Sequence, residues 1–182
     1  MSDARLRLRR LVETAMMVAA AVALSFVKVW EMPQGGSVTL GSMVPILLVG
    51  LRHGPAWGIA AGVLDGVLQY WLEPFYFHPV QVLLDYPIAF GLLGLAGLAR
   101  GRGRWAAAWL GSLAIAGRFV AHVISGVVFF AEYVPEGQHP LVYSLIYNGA
   151  YLLPEAVLSA VLLTVLLPAL ERALPAQAKS AL

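Results

Sequence analysis

Long apolar runs dominate this chain, and no polar stretch between them exceeds about ten residues. A helix needs ~20 mostly apolar residues to cross ~30 Å of hydrocarbon. Six runs approach that requirement, at about 8–29, 40–51, 56–72, 79–99, 105–130 and 141–170. The second is short for a full span, so it is either kinked or crosses only part of the bilayer. Only 12% of the 182 residues are charged and 60% are apolar, against roughly 25% and 45–50% in an ordinary soluble domain. With a mean hydropathy of +0.78, a soluble enzyme, a nucleic-acid binder and a disordered chain are all disfavoured. The fold class implied is an all-α integral membrane protein of six transmembrane helices, a single domain over 1–182. Cysteine is absent, which removes disulfides, thiolate metal sites and cysteine nucleophiles.

The first run follows Arg5, Arg7, Arg9 and Arg10, as a signal peptide would. It is longer than the usual ~7–15-residue hydrophobic core of a signal, and further runs follow it. It therefore reads as a retained first helix. The other basic residues fall in alternate loops: Arg52, then Arg100, Arg102 and Arg104, then Arg172 and Lys179. Glu31, Glu73, Glu132 and Glu136 occupy the opposite loops, with Lys28 the one basic residue near them. The excess of arginine and lysine marks the cytoplasmic side. Both termini are thus expected in the cytoplasm of a multi-pass protein of the cell membrane.

Ala15, Ala19 and Ala23 recur every fourth residue and share a face of the first helix. Small residues let another helix approach closely. That face serves either internal bundle packing or docking of a partner membrane protein. Gly58 and Gly62, with Gly91, Gly94 and Gly97, read as internal packing.

Ionisable groups inside a span are costly, and are usually paired or functional. Here they are Asp65, Asp85, Arg118, His122 and Glu155. Arg118, His122, Gly126 and Phe130 form one stripe. Tyr143, Tyr147 and Tyr151 form another, with Asn148 beside it. Gln81 lies one turn before Asp85 and Tyr86. A carboxylate, an imidazole, an amide and several aromatics suit a small, flat, cationic ligand. The carboxylate attracts the cation, aromatic faces hold it, and Asn and His read a heterocycle edge. Plainer roles stay open: an Asp85–Arg118 ion pair, a core histidine, and an interfacial tyrosine belt.

Catalysis has little support. His122 and Ser125 lack a third partner, and neither HExxH nor a phosphate-binding GxxxxGK[ST] occurs. No metal or cofactor is called for. Uphill transport would draw on an ion gradient or on an energising partner.

Several segments together resemble the thiamine-specific S component of energy-coupling factor (ECF) transporters. They are residues 32–46 (MPQGGSVTLGSMVPI), 51–54 (LRHG), 81–87 (QVLLDYP), the Arg118/His122/Gly126 stripe and 143–149 (YSLIYNG). The resemblance runs from about Arg5 to Leu170. It implies a six-helix protein that takes thiamine from outside and works with a transmembrane scaffold subunit and two ATPases. It implies that Ala15, Ala19 and Ala23 meet the scaffold. It places Asp85 against the thiazolium, where relatives often carry glutamate, followed by Tyr86. It assigns His122, Tyr143 and Asn148 to the aminopyrimidine and hydroxyethyl ends, Gly126 to the pocket wall, and Phe130 to an aromatic stacking position. Phe75 or Tyr76 falls near another aromatic wall, and the loop 30–37, with Trp30 and Glu31 as candidates, covers the site. The alternatives are an S component for another vitamin or for a thiamine pyrimidine precursor, a small intramembrane enzyme using His122 with Asp85 or Glu155, and a purely structural subunit.

Overall fold

The computed structural model of the chain describes residues 3–173. Lys179, assigned above to the cytoplasmic side, lies outside the described residues. Among those described, six helices and one small hairpin make up the fold: α1 (Asp3–Ser25), β1 (Lys28–Glu31), β2 (Ser37–Thr39), α2 (Val44–His53), α3 (Pro55–Leu72), α4 (Pro79–Ala99), α5 (Gly103–Phe129) and α6 (Pro140–Ala173). A single 3-10 turn, Ala131–Tyr133, follows α5.

Two expected spans change in outline. The first ends at Ser25 rather than Val29, because the chain leaves the helix to form the antiparallel hairpin. The Ser25 hydroxyl donates to Val22 O at 2.7 Å, closing the last turn. At the hairpin tip Gly35 and Gly36 take φ values of 84° and 87°, a region glycine enters without a Cβ penalty. The second span is α2, only ten residues and ~15 Å long at 1.5 Å per residue. That is about half of the hydrocarbon thickness, so as a helix it spans only part of it. Gly54, at φ 94°, ends it, and Pro55 opens α3 directly.

Among the described residues, three helices are long and apolar enough to cross a membrane: Pro79–Ala99, Gly103–Phe129 and Pro140–Leu170. The polarity of the bundle is inverted. Trp71, Trp105, Leu153, Val157 and Val165 are exposed, whereas Asp65, Gln81, Ser125, Asn148 and Glu155 are buried. Charged groups also separate by end. Glu13 of α1 binds Arg52 Nε at 2.8 Å and His53 Nε2 at 3.1 Å at the end of α2. At the other end Lys28 Nζ lies 2.8 Å from both Glu31 and Glu73.

The glycines of α3 and α4 allow backbone contact. A Cβ on Gly94 would lie 2.0 Å from Ile59 N, and one on Gly62 would lie 2.1 Å from Phe90 O. A Cβ on Gly58 would meet the Gly94 Cα at 2.8 Å, and one on Gly97 would meet Pro55 N at 2.5 Å. Gly91 is different, because its nearest neighbour is the Val63 side chain at 3.1 Å. The face of α1 bearing Ala15, Ala19 and Ala23 is exposed, while Thr14, Val18 and Ala21 turn inward.

Helix α4 is irregular where it matters. Pro87 has no N–H to donate and cannot continue an ordinary ladder. The turn Leu84–Ile88 widens into a π-helical turn, and the helix ends as a 3-10 segment from Leu93. Such π-turns frequently mark functional positions, and this one displays Asp85 and Tyr86.

Candidate ligand-binding cavity

A cavity of about 450 Å³ lies between the hairpin, the turn 73–78 and helices α4, α5 and α6. That falls within the roughly 300–1,000 Å³ of small-molecule sites. Asp85, Tyr86, His122 and Gly126 line it. So do Phe75, Phe130, Tyr143 and Asn148.

Asp85 is the centre of a hydrogen-bond network. Its Oδ1 lies 3.0 Å from His122 Nδ1, and its Oδ2 accepts from Gln81 Nε2 at 2.7 Å and Ser125 Oγ at 2.9 Å. Arg118 Nε donates to His122 Nε2 at 3.2 Å. A nitrogen that accepts from a guanidinium carries no proton. His122 is therefore assigned its proton on Nδ1, directed at Asp85. Arg118 reaches Asp85 through the imidazole instead of pairing with it directly, and its guanidinium carbon sits 3.9 Å from the Phe90 ring centroid. The donors around this carboxyl group are an imidazole, an amide and a hydroxyl. A cation in the cavity would meet a side chain only 15% exposed, where charges are screened less than in open water.

Aromatic groups close the outer part. Phe75 and Phe130 stand 5.7 Å apart between centroids, and Phe77 lies 5.6 Å from Phe130. The Phe75 N–H donates to Tyr86 Oη at 3.0 Å, and the Phe77 N–H donates to Gln81 Oε1 at 3.1 Å. Phe75 thereby lines the cavity, whereas Tyr76 and Phe77, 62% and 44% exposed, lie outside the lining. Trp30 is likewise outside, at 51% exposure. Successive strand residues point to opposite faces, and Glu31, its neighbour in β1, takes the cavity side.

The loop 30–37 is the hairpin tip, and its residues Met32–Ser37 form one wall of the cavity. Tyr147 Oη accepts from Gln34 N–H at 2.8 Å and donates to Gly35 O at 2.9 Å. A Cβ on Gly36 would come within 2.7 Å of the Tyr151 ring, so the tip rests on that ring. The base of the hairpin is held by Glu155, fully buried, whose Oε1 accepts from both Thr39 N–H and Thr39 Oγ1. Lys28 bridges the hairpin to the turn after α3. Hydrogen bonds to Glu31 and then Glu73 hold its ammonium above the ordinary lysine value, against a smaller desolvation effect.

Asn148 is engaged within the protein. Its Nδ2 donates to Ser144 O at 2.9 Å, and its Oδ1 accepts from Tyr151 Oη at 2.9 Å. Gly126 lies against that same turn, and a Cβ there would meet Ser144 Oγ at 2.2 Å. Four groups escaped the sequence-based site set: Gln81 and Ser125 of the Asp85 network, and Tyr147 and Glu155, which hold the hairpin. Ser125 had a usable signal, since it follows His122 by one turn. Tyr147 and Glu155 serve the hairpin, whose formation the apolar pattern concealed. Among the described residues, no group of three or more His, Cys, Asp or Glu is arranged to hold a metal ion.

The family described as "Thiamine transporter protein (Thia_YuaJ)" matches residues 11–174. The thiamine transporter ThiT of Bacillus subtilis is 39% identical over 178 residues, covering 88% of this chain and 91% of the relative. ThiT of Lacticaseibacillus paracasei is 34% identical over 176 residues, covering 86% of each. A solved structure of ThiT from Listeria monocytogenes superposes with a TM-score of 0.79 at 24% identity, covering 91% of this chain and 97% of that one. That likeness establishes the fold. The matching proteins are transporters, not enzymes, and with its apolar helices this chain is a membrane protein. On the family match and the two close relatives together, the chain belongs to the thiamine transporter protein family.

Proposed function

We propose that this protein is the thiamine-binding S component of an ECF-type transporter. It takes thiamine from outside the cell and hands it on through a transmembrane scaffold subunit driven by two ATPases. With both termini in the cytoplasm, the basic ends of α1, α2 and α6 lie inside and the hairpin outside. The cavity then opens to the side from which the vitamin arrives. The observation that carries this reading is the Asp85 network facing Phe75 and Phe130 in one cavity. A thiazolium between them gains attraction to the carboxylate and to the ring faces. The aminopyrimidine lies toward His122, Tyr143 and Asn148.

None of the five tryptophans lines this cavity, so calorimetry is a better readout than intrinsic fluorescence. Titration of purified protein with thiamine is expected to give saturable, one-to-one binding at sub-micromolar concentration. Absence of saturation up to micromolar thiamine, or preference for riboflavin or biotin in competition, would refute the reading. Uptake into vesicles is expected only when the scaffold and ATPase subunits are present.

A further inference from the structure

Gln81 stands apart from the other polar residues of the cavity. Its exposure is 0%, and all of its amide groups are used. One hydrogen of Nε2 goes to Asp85 Oδ2 at 2.7 Å and the other to Phe75 O at 3.2 Å, while Oε1 accepts from Phe77 N–H at 3.1 Å. The first bond fixes the carboxylate. The other two fix the backbone on both sides of Tyr76, and so the place of the Phe75 and Phe77 rings beside Phe130. Both bonding sets come from one rigid planar group. One side chain therefore ties the carboxylate directly to the turn that carries Phe75 and Phe77.

We propose that Gln81 is a positioning residue that sets the spacing between the anionic and aromatic walls of the ligand site, and so its preference for a flat cation over a neutral heterocycle. The chemistry requires an amide. Two donors and an acceptor in one plane are offered by Gln and Asn, whereas Glu when ionised only accepts and Leu does neither. A helical turn separates Gln81 from Asp85, and the longer glutamine arm spans it while reaching the turn 73–78. Tyr86 reinforces the turn from the same helix, since its hydroxyl accepts from Phe75 N–H and donates to Glu73 O at 3.1 Å. Tyr86 bonds the turn alone, whereas the Gln81 side chain bonds both the turn and the Asp85 carboxyl group.

This inference rests on the thiamine reading. It is tested on the full-length protein by calorimetry with thiamine and with a neutral aminopyrimidine lacking the thiazolium. Gln81→Leu is expected to lower thiamine affinity by about 10- to 100-fold, the size of one to two lost charge-assisted hydrogen bonds, and that of the neutral ligand by less than about threefold. Gln81→Glu keeps the shape but places a second carboxylate on Asp85. Its affinity relative to the unaltered protein is expected to fall most near about pH 8. It should recover at least about fivefold near about pH 5.5, where a shared proton restores a donor between the carboxyls. The other titratable or charged groups around this position are Asp85 and Tyr86 on α4, His122 on α5, Glu73 in the adjoining turn and Lys28 on the hairpin. They are present in both proteins, so the ratio of affinities isolates the substitution. If the leucine variant fails to fold, the pH dependence of that ratio for the glutamate variant decides alone. Equal losses for both ligands, a ratio independent of pH, or affinities within twofold of the unaltered protein would overturn the role of Gln81. Failure of the unaltered protein to bind thiamine would instead overturn the proposed function.

Discussion

At position 85 a carboxylate accepts three hydrogen bonds from three directions: His122, Gln81 and Ser125. This surrounds the charge without neutralising it, because the imidazole proton is donated while its other nitrogen is occupied by Arg118. Removing the charge alone is therefore informative. Asp85→Asn keeps the size but turns one acceptor into a donor facing donors. Thiamine affinity is expected to drop by about 30-fold, near the ~1.5–3 kcal/mol of a charged hydrogen bond. A neutral pyrimidine should lose clearly less. Calorimetry with both ligands checks this, and equal losses would refute attraction of the thiazolium as the role of Asp85. The carboxylate itself was legible in the sequence, since an ionisable residue within a span stands out by cost. Gln81 and Ser125 carry no such cost at the sequence level, and only the folded geometry shows that they complete the network.

At the scale of elements, the hairpin is the part that hydropathy hid. Residues 26–29 are apolar enough to continue α1, yet Phe26, Val27 and Val29 are exposed and the chain turns back at Gly35 and Gly36. Hydropathy reports preference for an apolar surrounding, not backbone direction, so the first span was overextended by four residues. The longer helices are legible because their length alone decides the matter, as for α4 over Pro79–Ala99. Its π-turn was not foreseen, although Pro87 marks the place. The hairpin is held at its tip by Tyr147, at its base by Glu155 and at its edge by Lys28. The Lys28 bridge is partly exposed, and such pairs contribute ~0–1 kcal/mol. Because the folded lysine value is raised, this contribution is complete below the ordinary ~10.4. It is lost only as pH climbs through the raised value, so the latch is intact at neutral pH. Lys28→Gln is expected to leave the melting temperature within a few degrees. Backbone exchange of residues 28–39 should quicken severalfold in hydrogen-exchange mass spectrometry. Unchanged exchange there would show that Tyr147 and Glu155 suffice.

At the scale of the whole molecule, small residues are used in two ways. In α3 and α4 they face one another so closely that a Cβ at Gly62 or Gly94 would strike backbone. In α1 they face outward, and Ala15, Ala19 and Ala23 are exposed while Val18 and Ala21 fill the core. Sequence spacing alone could not separate these uses, because both follow the same four-residue rule. An outward alanine stripe has no packing benefit in lipid, where larger apolar chains are equally well solvated. The stripe makes sense if another helix lies against it. This sets up a test in which lipid and partner give opposite answers. Ala19→Leu adds apolar bulk that lipid accepts without cost, so stability and thiamine affinity should stay within about twofold of the unaltered protein. Against a closely packed scaffold helix the same bulk forces separation, at a cost of ~1–3 kcal/mol for overpacking. Copurification with the scaffold subunit and ATP-driven uptake are then expected to fall about tenfold or more. Ala60→Leu, at an exposed alanine of α3, serves as the control and should change neither. Uptake that survives Ala19→Leu would make the stripe a lipid-facing surface and move the docking site elsewhere on the molecule.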